Sequence, residues 1–98
     1  MTPLEIRLAA LAAAGQTIPY GALARELGLR MADLTAALEA LMEADTAAGK
    51  PLRAALCEAR LTPGLPARGF FDKAAALGHD VSDPAAFIAK QRQLLSAR

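Results

Sequence analysis

The chain has 98 residues and a mass of 10.2 kDa, a size at which one hydrophobic core organises one domain, so residues 1–98 are expected to fold as a single unit. Hydrophobic residues make up 54% of the sequence, but alanine alone contributes about a quarter and aromatic residues only 4%, which favours packed helices over a β-sandwich. Eleven basic and ten acidic side chains give a formal net charge of +1, well short of the strong positive charge that by itself indicates a nucleic-acid-binding protein. One Cys and one His exclude a disulfide framework and a Cys/His zinc site.

The N-terminal segment is the only stretch that resembles a targeting signal. Residues 8–14 follow Arg7 and imitate the short apolar region of a secretory signal, but Thr2, Pro3 and Glu5 have the spacing of a helix capping box. No apolar run reaches the roughly 18 residues needed to span a bilayer. We therefore expect a cytoplasmic protein with no membrane association.

The first half of the chain predicts three helices. Leucines recur at helical spacing in each, and Gly15 and Gly28 are residues that favour the left-handed conformation just past a helix end. Pro19 favours an extended conformation before the second helix. The predicted elements are a helix over Pro3–Ala14, a brief strand or extended linker over 16–19, a helix over Tyr20–Leu27 and a helix over 31–44.

The second half predicts one strand and two helices. Residues 52–59 alternate, with Leu52, Ala54 and Leu56 on one face, and are interpreted as a strand. Residues 62–66 predict a turn in which Gly64 has a positive φ, and Gly69 is expected to end that loop. A short helix from Phe70 to about residue 77 is followed by a last helix, capped by Ser82 or Asp83 and begun by Pro84, whose late cations are Lys90, Arg92 and Arg98.

The segment 23–34 resembles a helix-turn-helix. Small Ala24 stands where the helices approach, Gly28 stands in the turn, and four leucines fix the crossing. With a preceding helix, a following strand and a Pro-Gly turn, residues 3 to about 70 resemble a winged-helix domain. The expected fold is mainly α with a small β component, in which a winged-helix-like three-helix core is joined by a strand or hairpin that closes on Ile18 and by two C-terminal helices.

The predicted third helix is a poor candidate for reading DNA bases. Its outward positions include Arg30 but also Asp33 and Glu39, whereas base-reading helices usually present Arg, Lys, Asn or Gln. The charge is uneven along the chain, because residues 1–45 hold three basic and six acidic side chains and residues 46–78 hold five basic and two acidic ones. If DNA is bound, phosphate contacts are expected from this basic second segment, with Arg30 as an auxiliary. The candidate nucleic-acid-binding residues are Arg30, Lys50, Arg53, Arg60, Arg68 and Lys73.

The Tyr-Gly-Ala-Leu-Ala segment at 20–24, the Pro63-Gly64 turn and the Gly69-Phe70 pair together resemble a group of small uncharacterised bacterial domains. That group has no established activity, so the resemblance implies architecture alone. The chain departs from the group's pattern at Ala67 and Arg68, where an acidic residue beside Gly is expected.

The same segment at 20–24, with the later Cys57, resembles the DNA-binding half of alkylguanine-DNA alkyltransferases, in which a Cys accepts an alkyl group. That resemblance implies a thiolate activated within a Pro-Cys-His-Arg motif, but here Cys57 is followed by Glu58, a neighbour that would raise a thiol pKa. Cys57 is therefore interpreted as a buried apolar residue, and His79-Asp80 as an interhelix linker. We expect no enzymatic activity, no cofactor, no metal and no small-molecule substrate.

Two functions from different classes stay open. One is a module that binds double-stranded DNA through phosphate contacts. The other is a protein-protein interaction module, a homodimer or an adaptor, that uses the Ala/Met face of the third helix or the loop 63–71 without binding DNA.

Overall fold

The computed structural model describes residues 1–97, and Arg98, expected late in the last helix, lies outside them. The described chain is mainly helical with a small β component, as predicted. In chain order the elements are α1 (Pro3–Ala14), β1 (Ile18–Pro19), α2 (Tyr20–Leu27), α3 (Met31–Ala47), a 3₁₀ turn (Arg53–Leu56), β2 (Cys57–Glu58), α4 (Arg68–Ala76) and α5 (Pro84–Ser96).

The helix ends follow local signals in the sequence. Thr2 and Glu5 form a reciprocal capping box at α1, and Gly15 and Gly28 adopt φ values of 66° and 65° where α1 and α2 end. At α5 the side chain of Asp83 accepts a hydrogen bond from the backbone N–H of residue 86. The predicted bounds of α1 and α2 and the predicted start of α5 are confirmed.

Helix α3 extends three residues beyond the predicted end at residue 44. Its last turn buries a carboxylate, since Asp45 is 2% exposed and accepts hydrogen bonds from the backbone N–H and the guanidinium of Arg53. A buried charge requires such a partner. The apolar spacing used to predict α3 does not reveal this contact between Asp45 and Arg53. The predicted helix therefore ended at residue 44.

The strand predicted over 52–59 is wrong for most of its length. Residues 53–56 form the 3₁₀ turn, and residues 54–57 are all buried instead of alternating between two faces. The segment passes between α1, α3 and α5 and is therefore enclosed on all sides. Only β2 is extended, and it pairs in parallel with β1 in the register Ile18↔Cys57, so the predicted closure on Ile18 is confirmed.

The loop between β2 and α4 differs from the prediction at one glycine. Gly64 has φ 88°, as predicted for the turn. Helix α4 begins at Arg68, so Gly69 lies in its first turn and does not end the loop.

Helix α5 covers the core with one buried side chain of its apolar stripe, Ile88, while Leu94 is 46% exposed. Arg92, one of the cations predicted late in the last helix, points into the protein and donates hydrogen bonds to the carbonyls of Ala55 and Gly64. The longest helix of residues 1–97 is α3, and none of the helices in that range is long and apolar enough to cross a membrane.

Candidate nucleic-acid interface

The six cations predicted as phosphate contacts do not lie together, and one of them is structural. Arg53 joins α1 to α3, because its Nη1 lies 3.0 Å from Glu5 Oε2 and its Nη2 lies 2.8 Å from Asp45 Oδ1. The hydrogen bonds that the guanidinium donates to Asp45 and Glu5 raise the pKa of Arg53. Both acids hold the guanidinium against the protein, so Arg53 is a poor phosphate ligand.

Three further candidates, Arg30, Lys50 and Lys73, do not form one surface with Arg60 and Arg68. Lys73 on α4 donates to Glu43 Oε2 on α3 at 2.6 Å, a contact that raises the pKa of the ammonium group. Arg30 is exposed and lies 3.4 Å from Asp33, and Lys50 is an exposed residue just after α3. None of these cations borders the groove that the remaining two candidates share.

Arg60 and Arg68 line one open groove, together with Arg25 of α2, which was not among the residues predicted from the sequence. The groove encloses about 1020 Å³ between the start of α2, residues 58–63 and the start of α4. Glu58 is the single acidic side chain among its described lining residues. The lining therefore has an excess of two positive charges on one concave surface.

The three arginines of the groove make at most one weak ion pair within residues 1–97. Within residues 1–97, Arg25 and Arg60 are exposed and form no ion pair, and Arg68 approaches Asp72 only to 4.0 Å with its side chain 95% exposed. Exposed pairs at such distances contribute little, about 0 to 1 kcal/mol. These guanidinium groups can therefore exchange their water for an anionic ligand.

Tyr20 connects the two sides of the groove. Its hydroxyl accepts a hydrogen bond of 3.2 Å from the backbone N–H of Ala67, just before α4, and burial raises the pKa of Tyr20 to about 12. Tyr20, Met31 and Ala67 also border an adjoining apolar pocket of about 130 Å³, whose far wall includes Phe70. The phenol thus fixes the start of α2 against the start of α4.

Arg92 anchors the loop that forms the outer wall of the groove. Its Nε donates to the carbonyl of Ala55 at 2.8 Å and its Nη1 donates to the carbonyl of Gly64 at 2.6 Å. Burial lowers the pKa of Arg92, and Nη2 is buried with no hydrogen-bond partner in the described residues. Residues 88, 92 and 95 share one helical stripe, so the position of Arg92 among apolar neighbours was the signal that could have identified it.

Cys57 lies on β2 with no exposed surface, which confirms its interpretation as a buried residue. Burial raises the pKa of Cys57 to about 12, and the nearby Arg92 opposes that shift only in part. The cause is desolvation and not the neighbouring Glu58 that the sequence suggested. A thiol held protonated in this way is a weak nucleophile.

No set of three metal-ligating side chains occurs in residues 1–97. Comparison of the chain with protein-family models, with curated proteins and with solved structures finds no match.

Proposed function

We propose that the protein binds double-stranded DNA without enzymatic chemistry, through phosphate contacts from Arg25, Arg60 and Arg68. The observation that carries this proposal is the convergence of three exposed arginines on one groove with a single opposing acid. Arginine forms bidentate hydrogen bonds with phosphate oxygens, and phosphate contacts supply most of the affinity of sequence-independent binding.

The proposal assigns no base reading to α3. Its outward positions carry Asp33, which already pairs with Arg30, and one groove residue from α3 is the apolar Met31. In this arrangement α2 and α3 act as the helix-turn-helix suggested by the sequence, with the cation presented by α2. The resulting contacts position the protein on DNA and carry little sequence information.

A protein partner is the second candidate function. Leu61 and Met31, which are 91% and 49% exposed, border the same groove as the three arginines. A peptide that combines acidic and apolar side chains would match this lining, because exposed apolar surface beside charge is typical of interaction sites.

The test is fluorescence anisotropy of a labelled random-sequence duplex titrated with the protein. In about 0.1 M salt each lost phosphate contact weakens binding about eightfold, so Arg25→Ala/Arg60→Ala should bind about 60-fold more weakly. The matched control, Lys50→Ala/Lys90→Ala, removes the same charge from exposed positions outside the groove and should change affinity less than threefold. Equal loss in both variants, or no binding by the unmodified protein at about 100 μM, would contradict the proposal.

A further inference from the structure

The loop that forms the outer wall of the groove carries the most exposed large apolar side chain in residues 1–97. Leu61 is 91% exposed and lines the groove directly after Arg60, with Pro63 two residues further on. A leucine exposed in a loop contributes nothing to the fold through this exposure, whereas eight of the sixteen leucines of the chain are buried in the core. Its position beside a phosphate-binding candidate points to a role in binding.

The loop is held at its base and projects at its tip. The backbone N–H of Ala59 donates to the carbonyl of Leu65 at 2.8 Å, and the backbone N–H of Leu65 donates to Thr62 at 3.0 Å. Arg92 holds the carbonyl of Gly64 from within the protein. Residues 60–63 are thus presented on an anchored base, which reduces the ordering that binding would require.

From these observations we infer that Leu61 is a wedge that inserts between adjacent base pairs of the bound duplex and bends it. The inference rests on the proposed DNA binding and specifies its mode. Proteins that bend DNA use apolar side chains, leucine among them, to unstack a base step while flanking cations hold the phosphates. Arg60 and Arg68 line the same groove as Leu61, so cations that can hold the phosphates share one surface with the apolar side chain.

The wedge predicts two signals that phosphate contacts alone do not produce. A duplex with 2-aminopurine at its central step should gain fluorescence as the base unstacks, and end-labelled duplexes should gain energy transfer as their ends approach. Both changes should saturate at the protein concentration that saturates anisotropy. In Leu61→Ala, most of the 2-aminopurine signal and of the energy-transfer signal should be lost. The salt dependence of binding by this variant should equal that of the unmodified protein.

Two matched variants complete the experiment. Leu94→Ala removes another exposed leucine, on α5 and outside the groove, and should leave both signals intact. Leu61→Phe, a larger apolar wedge at the same position, should retain them. Since Leu61 makes no contribution to the buried core, these changes should not alter folding.

The outcomes separate the wedge from the DNA binding on which it rests. Salt-dependent binding with no 2-aminopurine or energy-transfer change, or with changes that Leu61→Ala preserves, would overturn the wedge and leave phosphate binding standing. Absence of salt-dependent anisotropy would overturn both. In that case, binding of an acidic apolar peptide that is lost in Leu61→Ala would assign the surface to a protein partner.

Discussion

Replacement of Arg53 by alanine separates its structural role from a role in DNA binding. The substitution leaves the carboxylate of Asp45, which is 2% exposed, without its guanidinium partner at 2.8 Å. Asp45 keeps one hydrogen bond, from the backbone N–H of residue 53 at 3.1 Å. Glu5 also loses Nη1 of Arg53 but keeps the capping box and remains partly exposed, so most of the effect comes from Asp45.

The magnitude follows from the burial of Asp45. Removing one partner of a buried ion pair lowers the free energy of unfolding by about 3 to 5 kcal/mol, and the retained backbone bond places Arg53→Ala at about 3 kcal/mol. The free energy of unfolding of a natural domain is about 5 to 15 kcal/mol, so the variant should lose a large part of its stability. In a domain of fewer than 100 residues this corresponds to a fall in Tm of more than about 10 °C.

Urea unfolding followed by circular dichroism at 222 nm measures this loss. Asp33→Ala, which removes the partner of exposed Arg30, is the control and should change stability by less than about 0.5 kcal/mol. The double variant Arg53→Ala/Asp45→Ala should be more stable than Arg53→Ala, because no unpaired charge stays buried. A loss below about 1 kcal/mol in Arg53→Ala would refute the structural assignment, and so would a large loss of DNA affinity in folded Arg53→Ala.

Three further predictions concern pH, the anchored loop and DNA deformability. Burial raises the pKa of Cys57 from 9.0 and that of Tyr20 from 10.0, each to about 12, so the unfolded chain loses these protons first and the free energy of unfolding should fall as pH rises from 9 towards 12. Between pH 9 and 10, Cys57→Ala should lessen that fall by about 1 kcal/mol, and an equal fall in the variant and the unmodified protein, measured by urea unfolding, would contradict the burial. Arg92→Leu should speed hydrogen exchange of the Ala59 amide, measured by NMR, because the loop loses its bond at Gly64; unchanged exchange would show that Arg92 is not the anchor. A duplex with a central TA step should bind severalfold more tightly than an A-tract in competition assays, since pyrimidine–purine steps unstack easily, and equal affinity would count against the wedge.

Local chemistry explains which parts of the fold could be predicted from the sequence. Capping by Thr2 and Asp83 and the left-handed conformation of Gly15 and Gly28 depend on residues within one helical turn, and these ends were predicted correctly. The segment 53–58 depends instead on three helices that enclose it. Its alternating pattern indicated a strand. A longer strand would need a neighbouring strand to pair with, and β1 offers only Ile18 and Pro19.

The candidate site shows the same division between local and long-range information. Arg60 and Arg68 were selected from a basic stretch and share the groove, whereas Arg53 and Lys73 from the same stretch are paired with carboxylates of the acidic first half of the chain. Arg25 was missed because it belongs to the acidic first half of the chain. Charge counted along the sequence does not show which side chains meet in space.

The salt dependence of duplex binding measures how many phosphates the arginine groove contacts. Three phosphate contacts predict that the logarithm of the association constant falls against the logarithm of salt concentration with a slope of about −2.7. Removal of Arg25 and Arg60 together should reduce that slope to about −0.9. A slope near zero in the unmodified protein, or an unchanged slope in the double variant, would contradict DNA binding through the arginine groove.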